Sequence, residues 1–160
     1  MNAFKLLYLA DREMLLKHGL PITGDQMVAM KNGPVLSRVL DFITDGPDKF
    51  ASAWFDYVSP PERYDVSLKA GAKVAPEQLD ELSRFELRLL GEVFEKFGRM
   101  DKWALVELLH KVLPEWSAPG NSAVSIAPEA ILRAESCSDE EVHRVKESAD
   151  ELWLLGPAGR

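Results

Sequence analysis

The sequence predicts an α+β, mainly α fold: a helical domain with a small antiparallel β-hairpin or sheet. Two observations lead to this class. Most apolar residues recur at helical spacing, in runs that end at glycine or proline. Two other segments, residues 27–30 and 54–68, have the short apolar or alternating pattern of strands. The chain has 160 residues and 46% of them are hydrophobic, so we expect one domain, residues 1–160, with a substantial core.

The first predicted helix is Ala3–His18, and Gly19 is its C-terminal stop. One face of this helix is apolar. Lys5, Arg12 and Glu13 fall on the other side of the helical wheel. The pattern is that of an amphipathic helix, whose polar side faces away from the core.

A short strand and a second helix are predicted next. Met27–Met30 is an apolar run consistent with a buried strand. Lys31–Pro34 is a turn. Pro34 suits the first position of a helix that runs to about Thr44, because the missing N–H of proline costs nothing there.

Asp11 stands out because it lies at the centre of the apolar face of the first helix. A carboxylate in such a place is costly unless it is paired or hydrogen-bonded. The first N–H groups of a helix lack partners and favour an anion. We therefore expect Asp11 to be buried and hydrogen-bonded to Lys31–Val35, either at the opening of the second helix or through Lys31. The apolar residues around Asp11 on the wheel are Phe4, Leu7, Met14 and Leu15.

A two-stranded hairpin is predicted in the middle of the chain. Trp54–Val58 alternates in the manner of a strand, with Tyr57 on one side. After a longer loop, Tyr64, Val66 and Leu68 share one face.

The second half of the chain is predicted to be helical. One helix covers Leu79–Phe97, and Asp101 caps another that runs to about Val112 before Pro114. An irregular stretch begins at Trp116. A short helix follows, and Ser138 and Glu141 form a capping box for the last helix. The short helix is Pro128–Ala134, and the seam of the last helix is Val142, Val145, Ala149 and Leu152.

Charge and cysteine content exclude some classes of protein. The formal net charge is −7, which disfavours nonspecific binding to nucleic acid or anionic membrane because phosphate contacts need Lys and Arg. Residues 111–160 hold five Lys/Arg and nine Asp/Glu, a balance that favours a basic or neutral partner. Cys137 is the single cysteine, so an intrachain disulfide is impossible, as suits a reducing cytosol.

The residues give little sign of catalysis or of a cofactor. His18, His110 and His143 are not in metal-ligand spacing with another ligand type, so we expect no metal. His143 and Glu147 are one helical turn apart, which is typical of an exposed ion pair. The sequence has no phosphate-binding loop, dinucleotide-binding glycine pattern or nucleophile elbow. We expect no cofactor and no enzymatic activity.

Two segments carry a resemblance to a known family. LLYLADREMLLKHGLPITGDQMVAMKNGPVLSRVLD resembles the opening of the Panacea domain, the SocA-like antitoxin family. LVELLHKVLPEW is similar to a later helix of that family, in which a His is followed by Pro and Trp. The resemblance covers roughly residues 4–132, and the last helix has no matching motif. The matching positions are Tyr8, Asp11, Gly19, Pro21, Gly33, Pro34, Val35, His110, Pro114 and Trp116.

The resemblance implies a role in bacterial or phage toxin–antitoxin pairs, where such domains stand beside unrelated toxins. It predicts a cytoplasmic antitoxin that neutralises a cognate protein toxin by direct protein–protein binding. Members of this family can also act as proteolytic adaptors that present the toxin to a Clp-type protease. The identity of the toxin and the oligomeric state are left open.

Three segments are candidates for the partner surface. We rank His110–Trp116 first, because it coincides with a family motif and lies at the end of regular structure. His110 is expected to bond a nearby carbonyl or to touch the partner, and Trp116 to lie in the core or to anchor the partner. The alternatives are Trp54 and Tyr57 of the hairpin, and Trp153–Leu155 at the end of the last helix.

Two other functions remain as alternatives. A helix–turn–helix followed by a hairpin has the outline of a winged-helix-like DNA-binding regulator, with Pro34–Thr44 as recognition helix. That segment has one Arg and one Asp and no basic stripe. An enzyme of an unrecognised type is the other alternative, although no nucleophile, base and orienting group form a visible set.

Overall fold

The computed structural model describes residues 3–44, 54–59, 67–72, 75 and 79–155. This part of the chain forms helices and three short strands, as the fold class predicts. The helices are α1 (Ala3–His18), α2 (Ser37–Thr44), α3 (Trp54–Tyr57), α4 (Arg84–Phe97), α5 (Lys102–Val112), α6 (Pro128–Ala134) and α7 (Asp139–Leu155). The strands are β1 (Met27–Met30), β2 (Gly33–Leu36) and β3 (Val124–Ser125).

The sheet is antiparallel, with the strand order β2-β1-β3. β1 and β2 form a hairpin in which Met30 pairs with Gly33 and Met27 pairs with Leu36. Gly33 has a φ of +96°, which closes this tight turn and which a residue with a Cβ rarely adopts. The prediction of a strand at Met27–Met30 is confirmed.

Helix α1 lies at the centre of the fold. It packs against α4, β2 and α6, so more than one of its sides is covered. The prediction that Lys5 and Arg12 lie on an outer polar side is therefore wrong, because both are buried. Gly19 follows α1 with a φ of +81°, and its N–H donates to the Leu15 carbonyl over 2.8 Å. The predicted bounds of α1 and its glycine stop are confirmed.

Helix α7 packs closely against the end of α1. A Cβ on Gly19 would stand 3.0 Å from Cγ2 of Val145. Of the predicted seam, Val142 is buried and Val145 is half-buried, whereas Ala149 is exposed. Leu152 and Trp153–Leu155 lie outside the described side chains.

One main core joins the helices to the sheet. Its large members have no more than a few per cent of their surface exposed, so their burial supplies the main stabilising free energy of the fold. The principal residues of this core are Tyr8, Leu15, Met27, Leu36, Leu105, Leu109, Ile131 and Val142.

The second helix begins later than predicted. Gly33–Leu36 is strand β2, and α2 begins at Ser37, so Pro34 is not at the start of a helix. β2 is an edge strand, and proline is tolerated at an edge because one set of N–H groups there need not join a ladder. The predicted turn thus shortens to Lys31 and Asn32.

The predicted central hairpin is wrong in its first strand. Trp54–Tyr57 is one turn of helix, α3, and among the described residues here Val58 and Leu68 form an isolated antiparallel bridge. Alternation over five residues is too short to separate a strand from a helical turn. Tyr64 and Val66 lie outside the described residues.

Several predicted helix ends are confirmed by their hydrogen bonds. Asp101 caps α5 by accepting from the N–H groups of Trp103 and Ala104. Glu141 and Ser138 exchange the hydrogen bonds of a capping box at the start of α7. The predicted start at Leu79 is wrong, because α4 begins after Ser83, which forms its own capping box with Glu86.

Candidate functional site

Asp11 is fully buried, as predicted, but its partners are not those expected. Its side chain is 0% exposed. One carboxylate oxygen accepts from the N–H groups of Ile22 and Thr23, each over 3.0 Å. The other oxygen accepts from the Thr23 hydroxyl. The predicted contact with Lys31–Val35 is wrong, since Asp11 binds the loop that follows α1.

Asp25 serves the start of α2 in the way predicted for Asp11. Its two carboxylate oxygens accept from the N–H groups of Arg38 over 3.2 Å and Val39 over 3.1 Å. The N–H of Asp25 in turn donates to the Thr23 hydroxyl over 3.1 Å. A chain of hydrogen bonds therefore runs from Asp11 through the loop to α2.

The pKa of Asp11 is raised mainly because burial disfavours the charged carboxylate. The hydrogen bonds from Thr23 and Ile22 lower the pKa and offset part of this effect, whereas the charge of Asp25 adds to the rise. Asp11 is thus a buried hydrogen-bond acceptor that holds α1 to its own following loop.

A buried polar network connects α1 to the segment after α5. The hydroxyl of Tyr8 and Nε of Arg12 both donate to Oε1 of Glu115, each over 2.7 Å. A terminal nitrogen of Arg12 donates to Oε2 of Glu115 over 3.2 Å and also to Glu135. Arginine and carboxylate thus form a forked pair, which fixes both position and orientation.

The charges of this network stabilise each other. Burial alone would raise the pKa of Glu115, but the hydrogen bonds from Arg12 and Tyr8 outweigh it and the pKa is lowered. Burial and the nearby Glu115 charge raise the pKa of Tyr8, which stays a neutral donor. Glu115 therefore remains a carboxylate despite its burial, and it fixes the backbone beside Trp116.

Trp116 is half-buried and joins the same segment to the sheet. Its indole N–H donates to the carbonyl of Met30 over 3.1 Å. Its ring stacks on that of His110, with the ring centres 3.8 Å apart and the planes 9° apart. Trp116 also packs against the main core. This arrangement favours a structural role for most of the ring.

His110 does not make the predicted hydrogen bond to a carbonyl. Its Nε2 is shielded from solvent and has no hydrogen-bond partner in the described part of the chain. Burial and, second, the charge of Lys5 lower the pKa of His110, so its neutral form is favoured at pH 7. Lys5 approaches the same place from α1.

Lys5 is 5% exposed. Burial lowers its pKa to about 8. A Cβ on Gly33 would stand 3.0 Å from Nζ of Lys5 and 3.7 Å from Nε2 of His110. The two nitrogens therefore line the same side of Gly33, at the end of the β1–β2 hairpin.

The described surface also carries large apolar side chains. Trp103 is 59% exposed and Val112 is 53% exposed, both on α5. Pro114, next to α5, is exposed as well. Trp103 is covered in part by Lys102, whose Nζ lies 4.6 Å from the ring centre. Other exposed apolar residues are Tyr57, Leu68, Phe94 and Val124.

The described residues also bear on the predictions about metal, membrane and DNA. They include no group of three or more His, Cys, Asp or Glu placed to hold a metal ion. His143 and Glu147 form the predicted exposed pair, 3.3 Å apart. None of the helices in the described part is both long and apolar enough to cross a membrane. The DNA-binding alternative needed a recognition helix at Pro34–Thr44, but residues 34–36 belong to strand β2 and the helix begins at Ser37.

Most of the predicted site residues meet around α1 and the β1–β2 hairpin. Tyr8, Gly33, His110 and Trp116 come together there, whereas Asp11 lies on the loop side and Gly19 faces α7. Val35 and Pro34 are buried in β2, Lys31 is exposed in the turn, and the side chain of Trp54 lies outside those described.

Sequence reasoning missed Lys5, Arg12, Thr23, Asp25 and Glu115. A signal existed for Glu115, which stands between Pro114 and Trp116 within the quoted LVELLHKVLPEW segment. Lys5 and Arg12 had no such signal, because their burial depends on which elements cover α1.

The structure is thus a small α+β fold in which helix α1 is held by apolar packing and by the hydrogen bonds of Tyr8, Asp11 and Arg12. A family model described as "Antitoxin SocA-like, Panacea domain" matches residues 4–117. The chain belongs to this family. Comparison with curated proteins and with solved structures found no significant match.

Proposed function

We propose that this protein is a cytoplasmic antitoxin that neutralises a cognate protein toxin by direct contact, without catalysis. The observation that carries the proposal is the family match, which covers α1 from residue 4 onward, strands β1 and β2, and the His110–Trp116 segment. All of residues 1–160 would act as one domain in this role.

The surface we assign to the toxin is the exposed part of α5 and the segment that follows it. Trp103 and Val112, nine residues apart, are exposed on opposite flanks of α5, and Pro114 is exposed just beyond its end. Tryptophan is enriched among the residues that dominate protein–protein binding. Exposed apolar side chains lose unfavourable contact with water when a partner covers them. In the predicted His110–Trp116 region, the residues assigned to the toxin contact are thus the exposed Val112 and Pro114, whereas Trp116 packs against the core.

Hydrogen bonds fix the segment that follows α5 at two points. Glu115 is tied to α1 through Arg12, and Trp116 is tied to the sheet through Met30. A segment fixed at both points keeps its exposed neighbours in place before binding, which reduces the entropy lost on association. The acidic balance of residues 111–160 would also steer a basic toxin toward this side.

The test is co-expression with the product of the neighbouring gene, which the proposal takes to be the toxin. We expect the wild type to restore growth and to form a complex on size-exclusion chromatography. The double variant Trp103→Ala, Val112→Ser is expected to fold normally but to lose rescue. Leu68→Ser is the matched control, because Leu68 is 64% exposed outside the assigned surface.

The results separate the surface from the function. If the double variant rescues growth as well as the wild type, the assigned surface is wrong. If the folded wild type neither rescues growth nor binds the toxin, the proposed neutralisation is wrong. If Leu68→Ser alone loses rescue, the toxin-binding surface lies near Leu68 and α3 instead of α5.

Delivery of the toxin to a Clp-type protease is a second step that we propose because members of the family can act in this way. It predicts that the toxin has a shorter half-life in cells that contain both this protein and the protease. The half-life is measured after synthesis is stopped, with and without the protease. An equal half-life in both strains would leave neutralisation by contact as the whole mechanism.

A further inference from the structure

Strand β3 forms an exposed edge of the described sheet. The strand order is β2-β1-β3, and both residues of β3, Val124 and Ser125, are exposed. The opposite edge strand, β2, is buried along its whole length and contains Pro34, which has no N–H to offer. An exposed edge presents main-chain donors and acceptors to a further strand, so β3 is the edge at which this sheet can be extended.

The register of the sheet shows which main-chain groups of β3 point outward. The N–H of Ile126 donates to the carbonyl of Met27 over 2.9 Å, and Val124 lies opposite Ala29. Because hydrogen-bonded and non-hydrogen-bonded pairs alternate along an antiparallel ladder, Val124 and Ile126 turn their N–H and carbonyl groups toward β1. Ser125 lies between them and therefore turns its N–H and carbonyl away from β1, toward the open edge.

The sequence of this edge is symmetrical about Ser125. Residues 123–127 read Ala-Val-Ser-Ile-Ala, so two β-branched side chains flank the central serine and two alanines flank those. The backbone is still extended at Ala127, with φ −71° and ψ 141°. When two such strands pair antiparallel about a twofold axis at Ser125, alanine meets alanine and Val124 meets Ile126 of the second copy. Each side chain of the edge thus faces one of similar size.

Side-chain exposure and charge also favour a second copy as the partner. Val124 shares the core-facing side of the sheet with Ala29, yet Val124 is 46% exposed and Ala29 is 2% exposed. A second β3 strand would cover the outer flank of Val124 with an isoleucine. Residues 117–128 contain no charged side chain, although 28% of the whole chain is charged. The paired strands would therefore bring no like charges face to face, in spite of the net charge of −7.

We propose that β3 is a site of self-association, where two copies of this chain pair their β3 strands antiparallel about a twofold axis at Ser125. The two three-stranded sheets then become one six-stranded sheet, with two hydrogen bonds between the Ser125 residues of the two copies. The paired strands are short, so the dimer dissociates on dilution. This pairing does not depend on the proposed toxin binding, whose surface is assigned to α5.

Light scattering coupled to size-exclusion chromatography tests the pairing over concentrations from about 1 μM to about 1 mM. We expect the mass of the wild type to rise from that of one copy toward that of two. Ser125→Pro removes the outward N–H and no donor to β1. It should raise the dissociation constant about tenfold or more, because the twofold axis makes one substitution remove two hydrogen bonds. Ser125→Ala is the matched control, since it keeps the N–H, and it should dimerise as the wild type does.

A second pair of variants decides the question if circular dichroism shows that Ser125→Pro is unfolded. Val124→Glu places a charge in the uncharged edge and should also raise the dissociation constant about tenfold or more. Its control is Leu68→Glu, because Leu68 is 64% exposed and pairs with Val58 in another part of the chain. Leu68→Glu should dimerise as the wild type does.

Cysteine cross-linking tests the position of the twofold axis. The Cα atoms of a hydrogen-bonded antiparallel pair are about 5.5 Å apart, a separation that a disulfide can span. Ser125→Cys in a Cys137→Ser background should therefore form a covalent dimer on mild oxidation. Val124→Cys in the same background should cross-link far more slowly, because residue 124 faces Ile126 of the second copy and not its own counterpart.

The outcomes separate a second copy from other partners. A dimer that weakens in the folded edge variants but not in their controls, and that cross-links through residue 125, supports the proposal. A wild type that stays monomeric over the whole range refutes it, as does a dimer that neither edge substitution weakens or that cross-links faster through residue 124. If the toxin slows amide hydrogen exchange at Ser125 in a monomeric protein, the edge binds the toxin and self-association is wrong, whereas the proposed neutralisation stands.

Discussion

Asp11 and Thr23 link the first helix to the loop that follows it. The carboxylate of Asp11 accepts from both the N–H and the hydroxyl of Thr23, and that hydroxyl also accepts from the N–H of Asp25. Asp25 in turn caps α2. The position of α2 relative to α1 therefore depends on a carboxylate that lies, in the sequence pattern, on an apolar face.

The first prediction concerns Asp11. Asp11→Ala should lower the free energy of unfolding by about 1–3 kcal/mol, because three donors of Ile22 and Thr23 lose their acceptor. Asp11→Asn should cost less, since its amide oxygen can still accept from the two N–H groups and the buried charge is gone. Urea unfolding at pH 7 compares them. Equal losses for Ala and Asn would show that the charge itself, rather than its acceptor geometry, stabilises the loop.

The second prediction concerns the pair Arg12–Glu115. Arg12→Met should cost about 3–5 kcal/mol, because it leaves Glu115 buried without its cation. Combining it with Glu115→Gln should cost less than the sum of the single changes. A double-mutant cycle from urea unfolding measures this coupling. Additive losses would mean that the two side chains do not stabilise each other.

The Glu115 carboxyl also makes stability depend on pH. Its pKa is lowered in the folded protein, so the unfolded chain binds more protons at acid pH. The ionised Glu115 carboxyl stabilises the folded state fully at a pH above its ordinary pKa of 4.5. This stabilising free energy is lost as the pH falls through the lower pKa of the folded protein. The pKa of Asp11 is raised in the folded protein, so the titration of Asp11 makes the fold more stable, not less, as the pH falls. Glu115→Gln should therefore reduce the sensitivity of the fold to acid.

The third prediction concerns Lys5 at alkaline pH. Its pKa falls from 10.5 to about 8 on folding, so the unfolded chain binds more protons between these values. Stability should rise with pH across this range. Lys5→Met should raise the free energy of unfolding at pH 7 by about 1–3 kcal/mol and abolish the rise. Urea unfolding from pH 7 to 10, with Lys31→Met as control, measures both effects; a rise that persists in Lys5→Met contradicts the assignment.

The fourth prediction separates two tryptophans. Trp116→Phe keeps a ring on His110 but loses the hydrogen bond to Met30, which should cost about 1 kcal/mol. Trp116→Ala should cost about 3–5 kcal/mol. Trp103→Ala should change stability by less than about 0.5 kcal/mol, because its side chain is exposed. Thermal unfolding ranks the three variants, and a large loss in Trp103→Ala would show that its ring is packed in solution.

The fifth prediction concerns metal content. We expect the purified protein to contain no stoichiometric metal, since the histidines lack ligand partners at suitable spacing. Elemental analysis of the protein, purified without a metal-binding tag, measures this. One zinc per chain would contradict the prediction and direct attention to His110, His143 and Cys137.

The local features of this fold could be predicted because they depend on neighbouring residues. Helix α1, strand β1, the cap at Asp101 and the box at Ser138 are each defined within a few positions of the chain. Pro34 could not be placed correctly, because a proline suits both the first turn of a helix and an edge strand. The pairing of β2 with β1 decides between them.

The burial of Asp11 and the stop at Gly19 were determined by the sequence alone, since a carboxylate on an apolar face and a glycine after a helix have local meaning. The partners of Asp11, the burial of Lys5 and the pairing of Arg12 were decided only by the tertiary structure. Helical periodicity shows which residues share a face, but not how many faces other elements cover. Because α4, β2 and α6 surround α1, its polar side became interior, and the buried charges of Asp11 and Arg12 are hydrogen-bonded.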